Sequence, residues 1–413
     1  MGTPVPDPGY GGLQRKLDLR TGRTVWQAYR APAVPTRPLL RDIKTDVVVI
    51  GMGVSGAMIA EALTAEGHDV VLIDRRGANL GSTAATTALV QFEIDQPLTL
   101  LAKKIGSEKA VRAWRRSRLA VANLAETIER LGIACQPVRR DSLYLAGTLL
   151  GPGELRQEAE ARRRAGLGAT YLTRGDLREG YGIARDGAIL SHGNLALDPR
   201  RLTAGLLLTA LERKARAYAK VEATAIAQGK DAVVVATKQG PTITASHAVL
   251  ATGFELMEGV PAERHQVIST WAIATRPQKR SLWPGEPHVW EASDPYLYLR
   301  TTPDGRVIAG GEDEEFVDED RRDARIAEKA ERIAAKVKRL LPRLDSTPAF
   351  AWTGSFGTTS TGLPLIGAVP HKPRVFAVMG YGGNGITFSR IAAELVRSAI
   401  GGRQDCDSDL FGL

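Results

Sequence analysis

Between Asp46 and Arg76 the chain reads DVVVIGMGVSGAMIAEALTAEGHDVVLIDRR. An unbroken run, VVVI, feeds Gly51, Gly53 and Gly56, and apolar residues at helical spacing (Ala57, Ile59, Ala60, Leu63) leave them. A second run, VVLI, follows and ends on Asp74. Short apolar runs bounded by glycines predict buried strands, so the stretch predicts a strand–helix–strand unit.

Elsewhere the periods alternate between helix and strand. Val111, Trp114, Val121, Leu124, Ala125, Ile128 and Leu131 predict an amphipathic helix over about 106–131. Ile326, Ala330, Ile333, Ala334, Val337, Leu340 and Leu341 predict a second, ended by Pro342. Strands are predicted at 232–236, 247–252, 267–275, 288–300 and 306–309, with a PDG turn at 303–305. Residues 1–40, rich in Pro and Gly, predict an extended arm lying over the body. In DPYLYLRTTPDGRVIAGGEDEE the period of two puts Tyr296, Tyr298 and Arg300 on one face and Leu297 and Leu299 on the other. That face either lines a ligand site or is the solvent side of a meander.

Composition narrows the class. With 413 residues, 43% apolar and 24% charged, the chain is long enough for two or three domain-sized units of a soluble globular protein. No apolar run approaches the roughly 20 residues of a membrane span, and the N-terminus does not read as a signal peptide. Cys135 and Cys406 alone make neither a disulfide framework nor a metal site, so a reducing cytoplasm is expected. The net charge of +9 is spread along helical patterns, which reads as a solvated basic surface rather than a nucleic-acid interface; attraction of an anionic ligand stays open. The six histidines show no ligand spacing, so no metal is expected, and no G-x-S-x-G elbow is present.

The G-x-G-x-x-G spacing in a strand–helix–strand context points to a dinucleotide. Its glycines let the backbone turn and approach a pyrophosphate, and the helix N-terminus at Val54 and Ser55 offers N–H groups to it. Asp74, followed by Arg75 and Arg76, is placed to accept from an adenosine ribose hydroxyl. Near the C-terminus a second strand runs into Gly380, Gly382, Gly383, Asn384 and Gly385 and then into a helix from Ile386 and Thr387. One dinucleotide does not need two phosphate cradles. A ring that becomes anionic on reduction can use a second helix end, and flavin meets that demand.

With these motifs in this order, nearly the whole chain resembles the FAD-dependent amine and amino-acid oxidoreductases of the D-amino-acid oxidase superfamily, among them glycine, sarcosine and gamma-glutamylputrescine oxidases. The resemblance implies an α/β fold: a discontinuous Rossmann-like FAD-binding domain (41–100, 197–262, 350–413) with an inserted α+β substrate domain (101–196, 263–349) containing a mostly antiparallel sheet. GSTAATTALV (81–90) then supplies Ser82, Thr83, Ala84, Thr86 and Thr87 to the cofactor, ASHAVLATGFE (245–255) supplies Ala251, Thr252 and Gly253, and Val221 and Gly354 join them. LYLRTTPDGRVIAGGEDEE, WTGSFGTTSTGLPLIG and GYGGNGIT look most like the gamma-glutamylputrescine oxidase branch.

The implied chemistry is oxidation of a C–N bond, with hydride passing to flavin N5 and the imine hydrolysing. Tyr296, Tyr298, Arg300 and Phe356, with Trp271, are expected on the substrate side, and the 382–385 turn at the N1–C2 edge of the flavin. Some relatives attach FAD through a cysteine near WTGSFGTTSTGLPLIG; this segment has none, so non-covalent FAD is expected. Where relatives carry a carboxylate-gripping arginine, this chain places Phe356 or a neighbour, which argues against a small free α-amino acid unless Arg300 substitutes. The expected partners are a small-molecule amine and an electron acceptor, either oxygen or a quinone or carrier protein. A non-catalytic FAD-binding subunit is the alternative from another class.

Overall fold

Both faces of the first sheet are buried, and the VVVI and VVLI runs show how. Val47, Val49, Val70 and Leu72 enter one core, while Val48, Ile50, Val71 and Ile73 enter another on the opposite face. Strictly alternating polarity would have left one face wet; a continuous apolar run does not. The strands Ile43–Ile50 and Val70–Asp74 pair in parallel, with Ile243–Leu250 and then Lys372–Met379 on one side and Arg216–Ala219 on the other. Helices Val54–Ala65, Pro199–Glu212 and Gly385–Ile400 contribute to the first core, and the antiparallel strands Ala223–Gln228 and Val233–Thr237 contribute to the second. The computed structural model describes residues 20–257, 260 and 263–413.

Among the described residues a second, ten-stranded sheet follows the spatial order Arg20–Gly22, Phe350–Thr358, Gln266–Ala274, Val307–Glu314, Leu297–Thr301, His288–Glu291, Val138–Leu145, Gly187–Ala196 and Leu89–Val90, with Ala169–Thr173 also paired to Gly187–Ala196. It is antiparallel except where His288–Glu291 meets Val138–Leu145. Helix Ile326–Leu340 seats Ala330, Ile333, Val337 and Leu340 against Leu297, Leu299, Val307 and Ala309. That commits the leucine face of Leu297–Thr301 to the helix. The face carrying Tyr298 turns toward the first sheet.

Two expected boundaries shift. Phe350–Thr358, placed by the sequence with the dinucleotide-binding pieces, pairs along its whole length with Gln266–Ala274, and Leu89–Val90 also belongs to the larger sheet. These segments carry the chain from one sheet to the other, so composition gives no break there. The single strand expected over 288–300 divides into His288–Glu291 and Leu297–Thr301, with Pro295 between them. In the expected arm, Arg20–Gly22 pairs with Trp352–Gly354 and Arg37 bridges Tyr218; residues 1–19 lie outside the described residues.

A buried ion pair fixes the segment leading out of the site. Glu158 accepts from the backbone N–H groups of Leu98 and Thr99, both at 2.8 Å, at the start of helix Leu98–Ile105. It also accepts from Arg162 Nε at 2.7 Å. Both side chains are fully buried, and the Arg162 guanidinium lies 4.5 Å from the Trp114 ring centroid. Burial pushes the Glu158 carboxyl up, but Arg162 and the Thr99 hydrogen bonds more than offset it and hold it below the usual range. Glu158→Ala would strand the Arg162 charge and two helix N–H groups. The expected loss in urea unfolding is about 3–5 kcal/mol, and a loss under about 1 kcal/mol would refute the clamp.

Candidate active site

The smaller of two joined cavities, about 690 Å³, opens where the first glycine turn meets the end of Ile243–Leu250. Gly51 has φ +120°, and a Cβ there would overlap the Ala251 carbonyl; one on Gly56 would overlap the Gly51 carbonyl. These two glycines let the turn, the helix and the neighbouring strand end close together. Gly56 therefore stands behind the cavity wall. Gly53 faces the cavity, and its added Cβ would meet only Thr83 Oγ1, at 3.1 Å. The Val54 N–H donates to that same hydroxyl at 3.0 Å.

Asp74 lines this cavity while holding its rim together. One carboxylate oxygen accepts from the Met52 N–H at 2.8 Å, and the other accepts from the N–H groups of Arg76 at 2.7 Å and Gly77 at 2.8 Å. A carboxylate has about four acceptor positions, so capacity toward a ribose hydroxyl remains. Arg75 and Arg76 both reach Glu255, Arg76 in a two-pronged contact at 2.6 and 2.7 Å. Glu255, which the sequence reading did not single out, takes up the charge of both arginines. Val221, Ala251, Thr252 and Gly253 complete the wall.

Val54, Ser55, Ser82, Thr83 and Gly253 also line a second cavity of about 1200 Å³ that extends between the sheets. Its walls carry Thr86, Thr87, Gly354, Phe356, Gly382, Gly383, Gly385 and Ile386, together with Trp271, Trp290, Tyr296 and Tyr298. The 82–87 loop is secured from behind: the Trp26 indole donates to the Thr86 carbonyl at 2.7 Å and the Trp352 indole to the Ala85 carbonyl at 2.8 Å. Ala84 faces the arm rather than either of these cavities.

Three more residues assigned from sequence to the cofactor stand one layer back. Asn384 donates to the carbonyls of Gln91 and Glu93 and accepts from the Asp95 N–H, while the Thr387 hydroxyl donates to the Gln91 carbonyl at 2.7 Å. They hold the 91–95 segment. Gly380 leaves space for Thr359, whose methyl would lie 2.7 Å from an added Cβ.

Arg300 is the clearest correction. It is 1% exposed, donates to the carbonyls of Ala88 at 2.7 Å and Leu197 at 3.1 Å, lies over Trp26, and is absent from the cavity wall. It shares a sheet face with Tyr298, but two residues farther along that face lies beneath the 88–89 backbone instead of the cavity. Burial pulls its pKa down to about 9. Its donors satisfy two buried carbonyls and do not reach a substrate carboxylate.

The second glycine turn departs from expectation too. The Gly383 N–H, expected to face a reduced ring, donates to Asp95 Oδ2 at 2.8 Å. Asp95 lines the large cavity with its side chain exposed there; the surrounding protein raises its carboxyl, with the Gly383 bond opposing. Behind the wall the Tyr296 hydroxyl donates to Asp313 Oδ2 at 2.7 Å. Burial lifts Asp313 to about 6, while Thr270 and Tyr296 draw it down. Both tyrosines titrate above the ordinary phenol range, chiefly through burial. No Lys, Arg or His of the described residues lines the large cavity. Neither aspartate had a spacing signal, because each sits at an irregular point: in the loop before Pro97 and at the end of a strand.

A carboxyl raised in the folded state opposes folding when ionised. The penalty from Asp313 is complete above about pH 6 and fades as pH falls toward its unfolded value. Asp313→Asn should therefore raise stability near pH 8 by up to about 3 kcal/mol and leave it unchanged near pH 4, measured by thermal unfolding at both pH values. Equal effects at the two would refute the assignment.

Comparison with known proteins sets this geometry in a family. The model of the FAD-dependent oxidoreductase family matches residues 46–399. Gamma-glutamylputrescine oxidoreductase of Escherichia coli is 25% identical over 382 residues, covering 89% of this chain and 86% of that protein. The tRNA 5-methylaminomethyl-2-thiouridine biosynthesis bifunctional protein MnmC of Cupriavidus necator is 26% identical, and the match covers 98% of this chain but only 64% of that relative. In fold, glycine oxidase from Geobacillus kaustophilus superposes with a TM-score of 0.72 at 22% identity, covering 88% of this chain and 96% of that one. L-proline dehydrogenase from P. horikoshii gives 0.75 at 19%, covering 90% and 97%. The chain belongs to the FAD-dependent oxidoreductases of the D-amino-acid oxidase superfamily, which act on amines and amino acids.

Proposed function

We propose that this protein oxidises the C–N bond of an amine using non-covalently held FAD, with the adenosine end in the smaller cavity and the flavin and substrate in the larger. The observation that carries the reading is the continuity of the two cavities through Val54, Ser55, Ser82, Thr83 and Gly253, which makes one elongated trough. The trough fits the cofactor in its chemistry. Gly53 leaves the helix N-terminus open to a pyrophosphate. Neither Cys135 nor Cys406 lines the trough, which supports a non-covalent attachment.

When bound, FAD would accept the electron pair and hydrogen leaving the carbon beside the amine nitrogen, and the resulting imine would hydrolyse to a carbonyl compound and ammonia or a smaller amine. The chain contributes orientation. Phe356, Trp271 and Trp290 close the large cavity with apolar surface and limit water. Tyr298 and Tyr296 present phenols, the latter fixed by Asp313. Arg300 being committed to backbone carbonyls, the reading favours an amine without a carboxylate beside the nitrogen. The likeness to gamma-glutamylputrescine oxidoreductase supports that substrate type.

A second reading concerns the acceptor. Reduction of oxygen builds negative charge, and the large cavity offers a carboxylate and no cationic side chain among the described residues to stabilise it. This favours passing electrons to a quinone or carrier protein.

Three experiments test these readings. In an anaerobic titration of the FAD-loaded protein, amines lacking an α-carboxylate should bleach the flavin band; bleaching by free α-amino acids alone would refute the substrate reading. Mixing the bleached protein with a soluble quinone should restore the band faster than mixing with air-saturated buffer. Gly53→Ala should weaken FAD binding by about tenfold or more while leaving the melting temperature of the FAD-free protein in place, because the added methyl enters the cradle and no backbone. Unchanged FAD affinity, measured by quenching of flavin fluorescence, would remove Gly53 from the cofactor site.

A further inference from the structure

Several buried carboxylates of the protein are paired with cations. Glu158 meets Arg162, Glu255 meets Arg75 and Arg76, Glu394 meets Arg116, and Glu312 meets Lys329 and Lys336. Asp95 differs. Its side chain is exposed toward the cavity, and its oxygens find one backbone donor, the Gly383 N–H, and no cationic side chain among the described residues lining the cavity. A chain carrying a net charge of +9 has thus left a carboxylate without a counter-charge in the wall of this trough. A lone carboxylate in the wall of an otherwise uncharged, aromatic cavity attracts a group of opposite sign.

The surroundings are built for that arrival. A Cβ on Gly382 or Gly383 would come within 3.0 Å of Asp95 Oδ2, so the glycines make room for the carboxylate at the turn. Tyr298, Tyr296 and Trp290 share the cavity wall and offer π faces, which attract cations. Asp313 adds a second acidic group behind Tyr296, and Asp95 is near enough to raise the pKa of Asp313 and of both tyrosines. The cavity field is therefore negative although the molecule as a whole is positive.

We propose that Asp95 is the anchor for the ammonium group of the substrate, and that this anchor, within an aromatic enclosure, makes the site select organic cations and reject carboxylates. The inference rests on the large cavity being the amine's place and names the class of amine it takes. It also gives the Phe356 position a meaning. With no arginine there and Arg300 spent on carbonyls, charge recognition in the cavity has the sign opposite to that of a carboxylate grip.

The test uses the FAD-loaded protein and ligands that cannot be oxidised at a C–N bond to an imine. Benzyltrimethylammonium and benzoate have similar size and opposite charge, and their binding can be followed by perturbation of the flavin absorption band and by calorimetry. The cation should bind at least about tenfold more tightly than the anion. Asp95→Asn should weaken the cation by about tenfold or more and narrow that preference, while Asp95→Glu, which keeps the charge, should retain most of it. Benzoate binding as tightly as the cation would overturn the proposal, as would a cation affinity within about twofold of the parent in Asp95→Asn. If Asp95→Asn cannot hold FAD, the parent preference and the Asp95→Glu variant decide. A protein that prefers the cation but is bleached by no amine would instead refute the oxidation reading and leave the anchor standing.

Discussion

The site depends on satisfying the backbone of one crossing segment without filling the space in front of it. Residues 82–95 run from the first glycine turn to the edge of the larger sheet, and much of that backbone is out of water with only one short strand of its own. Buried carbonyls must find donors, and here the donors come from behind: indoles of Trp26 and Trp352, the Arg300 guanidinium, the Asn384 amide and the Thr387 hydroxyl. Each spends a side chain on the rear of the segment. The front stays open, and that open front is a wall of the trough.

This division of labour separates two kinds of polar residue that look alike in a sequence. Asn384, Thr387 and Arg300 carry ligand-like groups, yet they serve the protein's own backbone. Ser82 and Thr87 line the trough itself. The distinction turns on which side of a loop a side chain leaves it, and no spacing rule encodes that. The glycines divide in the same way: Gly51 and Gly56 allow main chains to touch, whereas Gly53 leaves a gap for a ligand.

The legible part of the sequence was the part governed by local periods. Doubly buried strands, two amphipathic helices, and the opposed faces of Leu297/Leu299 and Tyr296/Tyr298 follow from repeats of 2 and 3.6 residues, and the structure has them. Asp74 was legible because its strand end is part of the motif. The alternation that placed Arg300 with the tyrosines was right about the face and silent about distance along it, which decides between cavity and core. Asp95, Asp313 and Glu255 come from loops or strand ends, and their meaning depends on partners 288, 17 and 179 or more positions away. The crossing of Phe350–Thr358 into the larger sheet was hidden for the same reason, since pairing partners are chosen by tertiary contact.

Electrostatics ties the fold to the chemistry. The protein neutralises buried carboxylates with arginine or lysine where a charge serves structure, as Glu158 and Glu255 show. At the trough it does the reverse: Asp95 in the wall and Asp313 behind it make no salt bridge among the described residues, at a cost to stability that the raised pKa of Asp313 makes visible. An enclosed acidic site lowers the free energy of an approaching cation and raises that of an anion, so discrimination begins before any particular contact forms. Reactivity needs the neutral amine, because the nitrogen lone pair must be available as the carbon loses hydrogen. An acidic anchor in the cavity meets both demands: it draws in the charged form, and a carboxyl whose pKa is raised is a better acceptor for the proton that form must shed.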